Sequence, residues 1–284
     1  MKNVFEPQNR YYVINNKRYS TKEEKIDIIE EGKSIYEVIR IINGEMLFYK
    51  EHEQRMIDSC KIAGIEIGKD DELRRKIEEN CKCLLKCNDY VEGNVKVIVT
   101  HNGEEINIEA FYLKHSYPSK EMYDEGVRTV LIHEERNNPN AKIVNETFKE
   151  RVNKILKEEK AYEGILANRH NNITEGSKSN LFFLFKDVDG KEYEVVTSRI
   201  DDVLPGITRM KVLEVIKENN IPCIEREIKV SELEKCGGAF ITGTSPKVLP
   251  IKEIGILQLN SCKNEIILNI VKYFEKKIEE NIKK

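Results

Sequence analysis

The chain has 284 residues, with 47 Lys+Arg against 50 Asp+Glu and a formal charge of −3. This near-balance, with a pI near 6.1, argues against a dedicated nucleic-acid or anionic-membrane binder. Apolar residues make up 39%, with 12 Tyr and 9 Phe, which excludes general disorder, and the length suits one large or two moderate domains. No apolar run approaches the roughly 20 residues of a membrane-spanning helix, and Met1–Arg10 lacks the apolar centre of an export signal. A cytoplasmic protein with reduced thiols is expected for its seven Cys.

In chain order, short strands are predicted at Tyr11–Ile14, Tyr36–Ile42 and Met46–Phe48, the last two joined by Asn43-Gly44, whose residues both tolerate positive φ. A helix follows from about Glu51. Leu73, Ile77, Cys81 and Leu84 mark a second helix over Asp71–Cys87. The cluster Cys81, Cys83 and Cys87 lacks a fourth ligand and reads as buried structural thiols rather than a metal site. Strands at Asn94–Thr100 and Ile106–Tyr112 form a hairpin through Asn102-Gly103, and Tyr117–Gly126 reads as a linker.

The second half opens with a strand at Val127–Ile132 and a helix over Glu146–Tyr162, striped by Phe148, Val152, Ile155 and Leu156. Next come a strand at Gly164–Ala167, a turn at Asn168–Asn172, an apolar run at Leu181–Phe185 and a turn at Asp187–Gly190. A helix at Ile207–Asn219, buried strands at Ile221–Glu227 and Ala239–Thr242, and an amphipathic tail helix from Ser261 complete the pattern. Strands and helices mix with many hairpins, so the fold class is α+β in two domains.

Four stretches could carry chemistry. His52-x-x-Arg55 places an Arg fork near a helix start, where a phosphate or a solvated ion pair would suit it. Leu204-Pro205-Gly206-Ile207-Thr208-Arg209 presents free amides at a helix N-terminus, fit for an anion or an ordinary helix entry. Thr242-Gly243-Thr244-Ser245-Pro246 follows a buried strand as a second phosphate cradle or a plain turn. Glu175, in Thr174-Glu175-Gly176-Ser177, sits just before an apolar run, where a carboxylate needs a cationic partner or serves as a turn residue. Together these suggest a phosphorylated cofactor.

These residues, from about Tyr11 to Ile251, resemble the class IV pyridoxal-phosphate enzymes: branched-chain aminotransferases, D-amino acid aminotransferases and aminodeoxychorismate lyases. The strongest stretch runs from Tyr162-Glu163-Gly164-Ile165-Leu166 through Ile173-Thr174-Glu175-Gly176-Ser177-Lys178-Ser179-Asn180 to Leu204–Arg209. Gly32-Lys33-Ser34-Ile35-Tyr36-Glu37 and His52-x-x-Arg55 match N-terminal family segments. The resemblance implies a small N-terminal α/β domain (1–120) and a larger C-terminal pseudo-barrel domain (121–284), with pyridoxal 5′-phosphate between them in a homodimer. It places the Schiff-base lysine at Lys142, 20 residues before Tyr162, and pairs Glu175 with the pyridine nitrogen. It assigns Arg55, Ile207, Thr208 and Thr244 to the phosphate, Leu204 to the ring face and Tyr36 to the substrate side.

The substrate half departs from both transaminase types. Lys33 and Ser34 replace Asp and Gly, and Thr100-His101 stands where D-amino acid enzymes carry Arg and His. Thr147 stands where branched-chain enzymes carry Tyr, and Lys247 where relatives often carry Glu. His101 could contact a substrate carboxylate. The expected activity is transfer of an amino group between a branched-chain or D-amino acid and a 2-oxo acid. A pyruvate-releasing lyase, or a relative that holds the cofactor but has lost the chemistry, is the alternative.

Overall fold

The structure, a computed structural model, describes residues 7–22, 33–101, 105–114, 117–136, 139–186 and 193–283. Gly32 and the predicted turns at Asn102-Gly103 and Asp187–Gly190 lie outside them. The chain divides into two compact units: Met1–Ser116 with Ala141–Val144 and Asn281–Lys284, and Tyr117–Asn140 with Asn145–Glu280.

The first unit contains β1 (Gln8–Ile14), β2 (Lys17–Ser20), β3 (Lys33–Ile42), β4 (Glu45–Met46), α1 (Tyr49–Ile62), α2 (Asp70–Cys87), β5 (Gly93–His101) and β6 (Ile106–Leu113). All its strand pairs are antiparallel, in the order β2-β1-β6-β5-β3-β4. Asn43 (φ 52°) and Gly44 (φ 81°) make the expected tight turn between β3 and β4. The strand predicted at Met46–Phe48 stops at Met46 because Phe48 turns left-handed (φ 52°) to start α1, two residues before the helix predicted from Glu51. Strand alternation gives this sheet two faces. Ile35, Ile39, Val95, Val97 and Val99 pack under α1 and α2 with Leu73, Ile77, Cys81 and Leu84, and Cys83 and Cys87 lean on the same core. The opposite face carries Tyr12, Ile98 and Phe111, with Tyr36 packed against them.

Ala141–Val144 belongs to this unit although it lies in the second half of the sequence. The Tyr36 N–H donates to the Lys142 carbonyl (3.1 Å), the Val144 N–H to the Ser34 carbonyl (3.2 Å), and Ile35 and Ile143 form an antiparallel bridge. These two hydrogen bonds, which define the bridge, fix Lys142 against β3.

The second unit comprises α3 (Lys120–Glu125), β7 (Val127–Ile132), α4 (Glu146–Glu158), β8 (Glu163–Ala167), β9 (Asn172–Gly176), β10 (Asn180–Lys186), β11 (Tyr193–Thr197), α5 (Ile207–Glu218), β12 (Cys223–Glu225), β13 (Ile228–Lys229), β14 (Gly238–Gly243), β15 (Lys247–Ile254), β16 (Leu257–Gln258) and α6 (Glu265–Ile282). Its mixed sheet runs β12-β11-β10-β14-β15-β7-β8-β9-β13, with β16 on β15. The cross-strand pair Phe182 and Phe240 stacks at 4.9 Å. Two local expectations change. The predicted linker holds α3, because Ser119 accepts the Met122 N–H and caps it. The predicted buried strand near Ile221 is a three-residue edge, with Ile224 and Glu225 exposed. Phe148, Val152 and Leu156 of α4 are buried as the apolar stripe requires, although the helix ends at Glu158. The stripe Ile267, Ile270, Phe274 and Ile278 likewise buries α6.

Candidate functional site

In the first unit the predicted Arg55 and Lys142 converge on Glu37. Spacing sets His52 and Arg55 on one face of α1, and alternation turns Glu37 of β3 toward that helix. Arg55 Nε and Nη2 donate to the two Glu37 oxygens at 2.6 and 2.7 Å, a bidentate fork. His52 Nδ1 lies 2.7 Å from Glu37 Oε2, and the Lys142 Nζ 3.9 Å from the same oxygen. Glu37, His52 and Arg55 are all buried. Burial alone would push the Glu37 carboxyl up, but Arg55, Lys142 and His52 outweigh it and hold it well below the usual carboxylate range. Burial pushes His52 down, so the neutral ring donates to the carboxylate. His52-x-x-Arg55 is therefore not a solvated surface pair.

Tyr36, opposite Ile98, stands on the sheet face away from α1 and α2. The Lys142 ammonium lies 5.3 Å from its ring centroid, and that of Lys96 4.9 Å. The order of β5 puts His101 three residues beyond Ile98, so its side chain leaves on the face of Val97 and Val99, opposite Tyr36.

In the second unit Glu175 lies within β9 rather than in a turn, and is 3% exposed. Its Oε2 accepts the Leu204 N–H at 3.0 Å, and its Oε1 has the Arg136 Nε at 3.2 Å. Arg136 also donates to the Ser177 carbonyl and lies over the Phe148 ring. Asn180 Nδ2 donates to the Leu204 carbonyl at 3.0 Å, so Glu175 and Asn180 together pin the backbone leading into α5. That helix begins at Ile207 behind Gly206, and among the described residues no side chain caps it. Ile207 and Thr208 are buried, with their amides in the first turn, where the helix dipole favours an anion. Thr244 occupies the turn between β14 and β15, which closes through Lys247 at φ 54°, its Nζ on both Glu275 oxygens. The turn after β9 is tied by buried Glu163, which accepts from Ser177, Ser179 and the Gly164 amide.

Arg136, Lys96 and Glu109 carried no sequence signal as neighbours of this chemistry. An arginine six residues before Lys142 has no local periodicity to mark it, and a lysine or glutamate inside a strand reads as a solvent-facing residue. Only the register reveals both Lys96 and Glu109 on the Tyr36 face.

Gly206 needs its missing side chain: a Cβ there would run into Asn180 Oδ1. Gly206→Ala is expected to push Asn180 off Leu204 and disturb the α5 entry. Overpacking of this kind costs about 1–3 kcal/mol. Cofactor titration should show affinity reduced about 10-fold, and unchanged affinity would leave the α5 start without a role in anion binding.

The fold matches solved structures along nearly its whole length. The Escherichia coli branched-chain amino acid aminotransferase superposes with a TM-score of 0.80 at 19% identity, covering 95% of each chain. The T.th. branched-chain amino acid aminotransferase, solved with pyridoxamine 5′-phosphate, gives 0.80 at 18%, covering 96% of this chain and 95% of that one. Among curated relatives, the D-alanine aminotransferase of Bacillus licheniformis is 27% identical over 85% of this chain and 87% of its own length. A probable branched-chain-amino-acid aminotransferase of Rickettsia conorii is 26% identical over 78% of each. The amino-transferase class IV family pattern matches residues 34–254. The chain belongs to the class IV aminotransferase family, and it is an enzyme, a transaminase. Its cofactor is pyridoxal 5′-phosphate.

Proposed function

We propose that this transaminase uses pyridoxal 5′-phosphate to carry an amino group from an amino acid to a 2-oxo acid, with Lys142 as the amine that takes the cofactor. The observation that carries this assignment is the environment of Lys142. Its side chain is 13% exposed and held beside Glu37 and Tyr36, whereas Lys149 and Lys154 of α4 are 51% and 78% exposed. The residues fit the cofactor. Glu175 offers a buried carboxylate, suited to a pyridine N–H. The start of α5 offers Ile207 and Thr208 amides to a phosphate, and the family resemblance assigns Thr244 and Arg55 to the same group.

Bound pyridoxal phosphate supplies an electron sink for the pair left when the amino acid loses its Cα proton. Lys142 Nζ would take that Cα proton and hold it as the acid–base group of the transfer. In this reading Glu175 would hold a proton at the ring nitrogen, Arg55, Ile207, Thr208 and Thr244 would hold the phosphate, and Leu204 would pack on the ring. Tyr36 lines the substrate side, whereas His101, whose side chain leaves β5 on the opposite face, takes no part in this reading. Names of the curated relatives point to D-alanine or a branched-chain amino acid as donor. A cytoplasmic homodimer completes the reading. Among the described residues no helix is long and apolar enough to cross a membrane.

The test is borohydride reduction of the cofactor-loaded protein followed by peptide mapping, alongside an assay for 2-oxo-acid-dependent amino transfer. The label is expected on Lys142. A label on another lysine rejects the assignment.

A further inference from the structure

The sheet face that bears Tyr36 packs it with Tyr12, Ile98 and Phe111, and among them holds two buried ionisable side chains. Lys96 is 5% exposed and Glu109 8%. In the β3-β5-β6 register, Tyr36, Ile98 and Glu109 form one row across the strands and Val38, Lys96 and Phe111 the next. Lys96 and Glu109 are thus diagonal neighbours on one face, within reach of a single small ligand. Glu109 Oε2 is buried, and among the described residues none donates a hydrogen bond to it. Burial pushes this carboxyl up to about 7, with Lys96 opposing. A buried carboxyl left in this condition calls for a missing donor.

Lys96 and Lys142 both lie over the Tyr36 ring, at 4.9 and 5.3 Å. A substrate whose α-amino group sits at Lys142 would therefore send its side chain along this face toward Lys96 and Glu109. Lys96 offers only donors, and an ionised Glu109 only acceptors. A branched aliphatic side chain answers neither group. A carboxylate answers Lys96 but repels an ionised Glu109, and an ammonium answers an ionised Glu109 but repels Lys96. A carboxamide answers both without adding charge, its C=O accepting from Lys96 and its NH2 donating to Glu109.

We infer that Lys96 and Glu109 form a side-chain subsite selecting amino donors that end in a carboxamide, of the glutamine and asparagine class. This rests on Lys142 being the amine that meets the substrate.

The experiment follows the first half-reaction of the cofactor-loaded enzyme with L- and D-forms of glutamine, asparagine, leucine, alanine, glutamate and ornithine. Wild type, Glu109→Leu, Glu109→Gln and Lys96→Met are compared. A carboxamide donor is expected to exceed leucine in kcat/KM by at least about 10-fold. Glu109→Leu should erase that preference mainly through KM, and Glu109→Gln, which still accepts from the amide, should restore part of it. Thermal unfolding and borohydride labelling of Lys142 are read on every variant. A label absent from wild-type Lys142 overturns the underlying assignment of the amine. Correct labelling with leucine, alanine, glutamate or ornithine as the best donor overturns the carboxamide subsite, as does a Glu109→Leu variant that keeps the wild-type preference.

Discussion

Lys142→Ala is expected to abolish amino transfer, lowering kcat by at least about 10³-fold, since a positioned acid–base group is worth about 10²–10⁴ and the proposal also makes this lysine the covalent tether. The fold should survive. The segment around Lys142 is fixed by its backbone, through the Tyr36 and Val144 amides, and Glu37 keeps Arg55 and His52 as partners when the lysine is gone. The variant should unfold near the wild-type midpoint, take no borohydride label, and regain some turnover with a small exogenous amine. Lys149→Ala, which removes an exposed amine paired with Glu146, is the control and should leave turnover unchanged. A Lys142→Ala enzyme with wild-type kcat would remove the basis of the mechanism.

The second large effect is on stability. Glu37→Gln takes the carboxylate from a buried cluster in which Arg55 spends two charge-assisted bonds on it. Arg55 then remains buried with a neutral partner that cannot accept both bonds. Removing one partner of a buried pair costs about 3–5 kcal/mol, measurable by denaturant unfolding at pH 7. The pH dependence has a definite sign. Glu37 titrates well below the usual carboxylate range in the folded protein, so its contribution is complete above the unfolded value of about 4.3 and fades as pH falls toward the folded one. The deficit of the variant should therefore be constant near neutrality and shrink progressively below about pH 4. A deficit that grows on acidification would show that Glu37 is not the ionised centre of the cluster. Because Glu37 also lies 3.9 Å from the Lys142 Nζ, turnover should fall with stability.

Much of the architecture was legible because it is written in short-range spacing. The Asn43-Gly44 turn follows from two adjacent residues that accept positive φ. The buried stripes of α2, α4 and α6 follow from apolar residues three and four apart. Where the reading slipped, a local signal was hidden or overruled. Ser119 capped a helix inside an apparent linker, and apolar Ile221 and Ile224 suggested burial in what proved a sheet edge.

Charge compensation could not be read in the same way. Glu37 is separated from Arg55 by 18 residues, and strand and helix periods do not reveal that the two meet. Arg136 and Glu175 lie on segments far apart in sequence yet 3.2 Å apart in space. Lys96 and Glu109 look solvent-facing until the register places both, buried, on the face of Tyr36.

The sequence by itself determined most secondary elements, through residue type at fixed local spacing, and by resemblance the family and the amine proposed for the chemistry. Tertiary structure alone decided which charges are buried, what neutralises them, and which sheet face a side chain shares with Tyr36. Electrostatic energy depends on distance and solvent exclusion, and both are properties of the packed chain rather than of neighbouring residues.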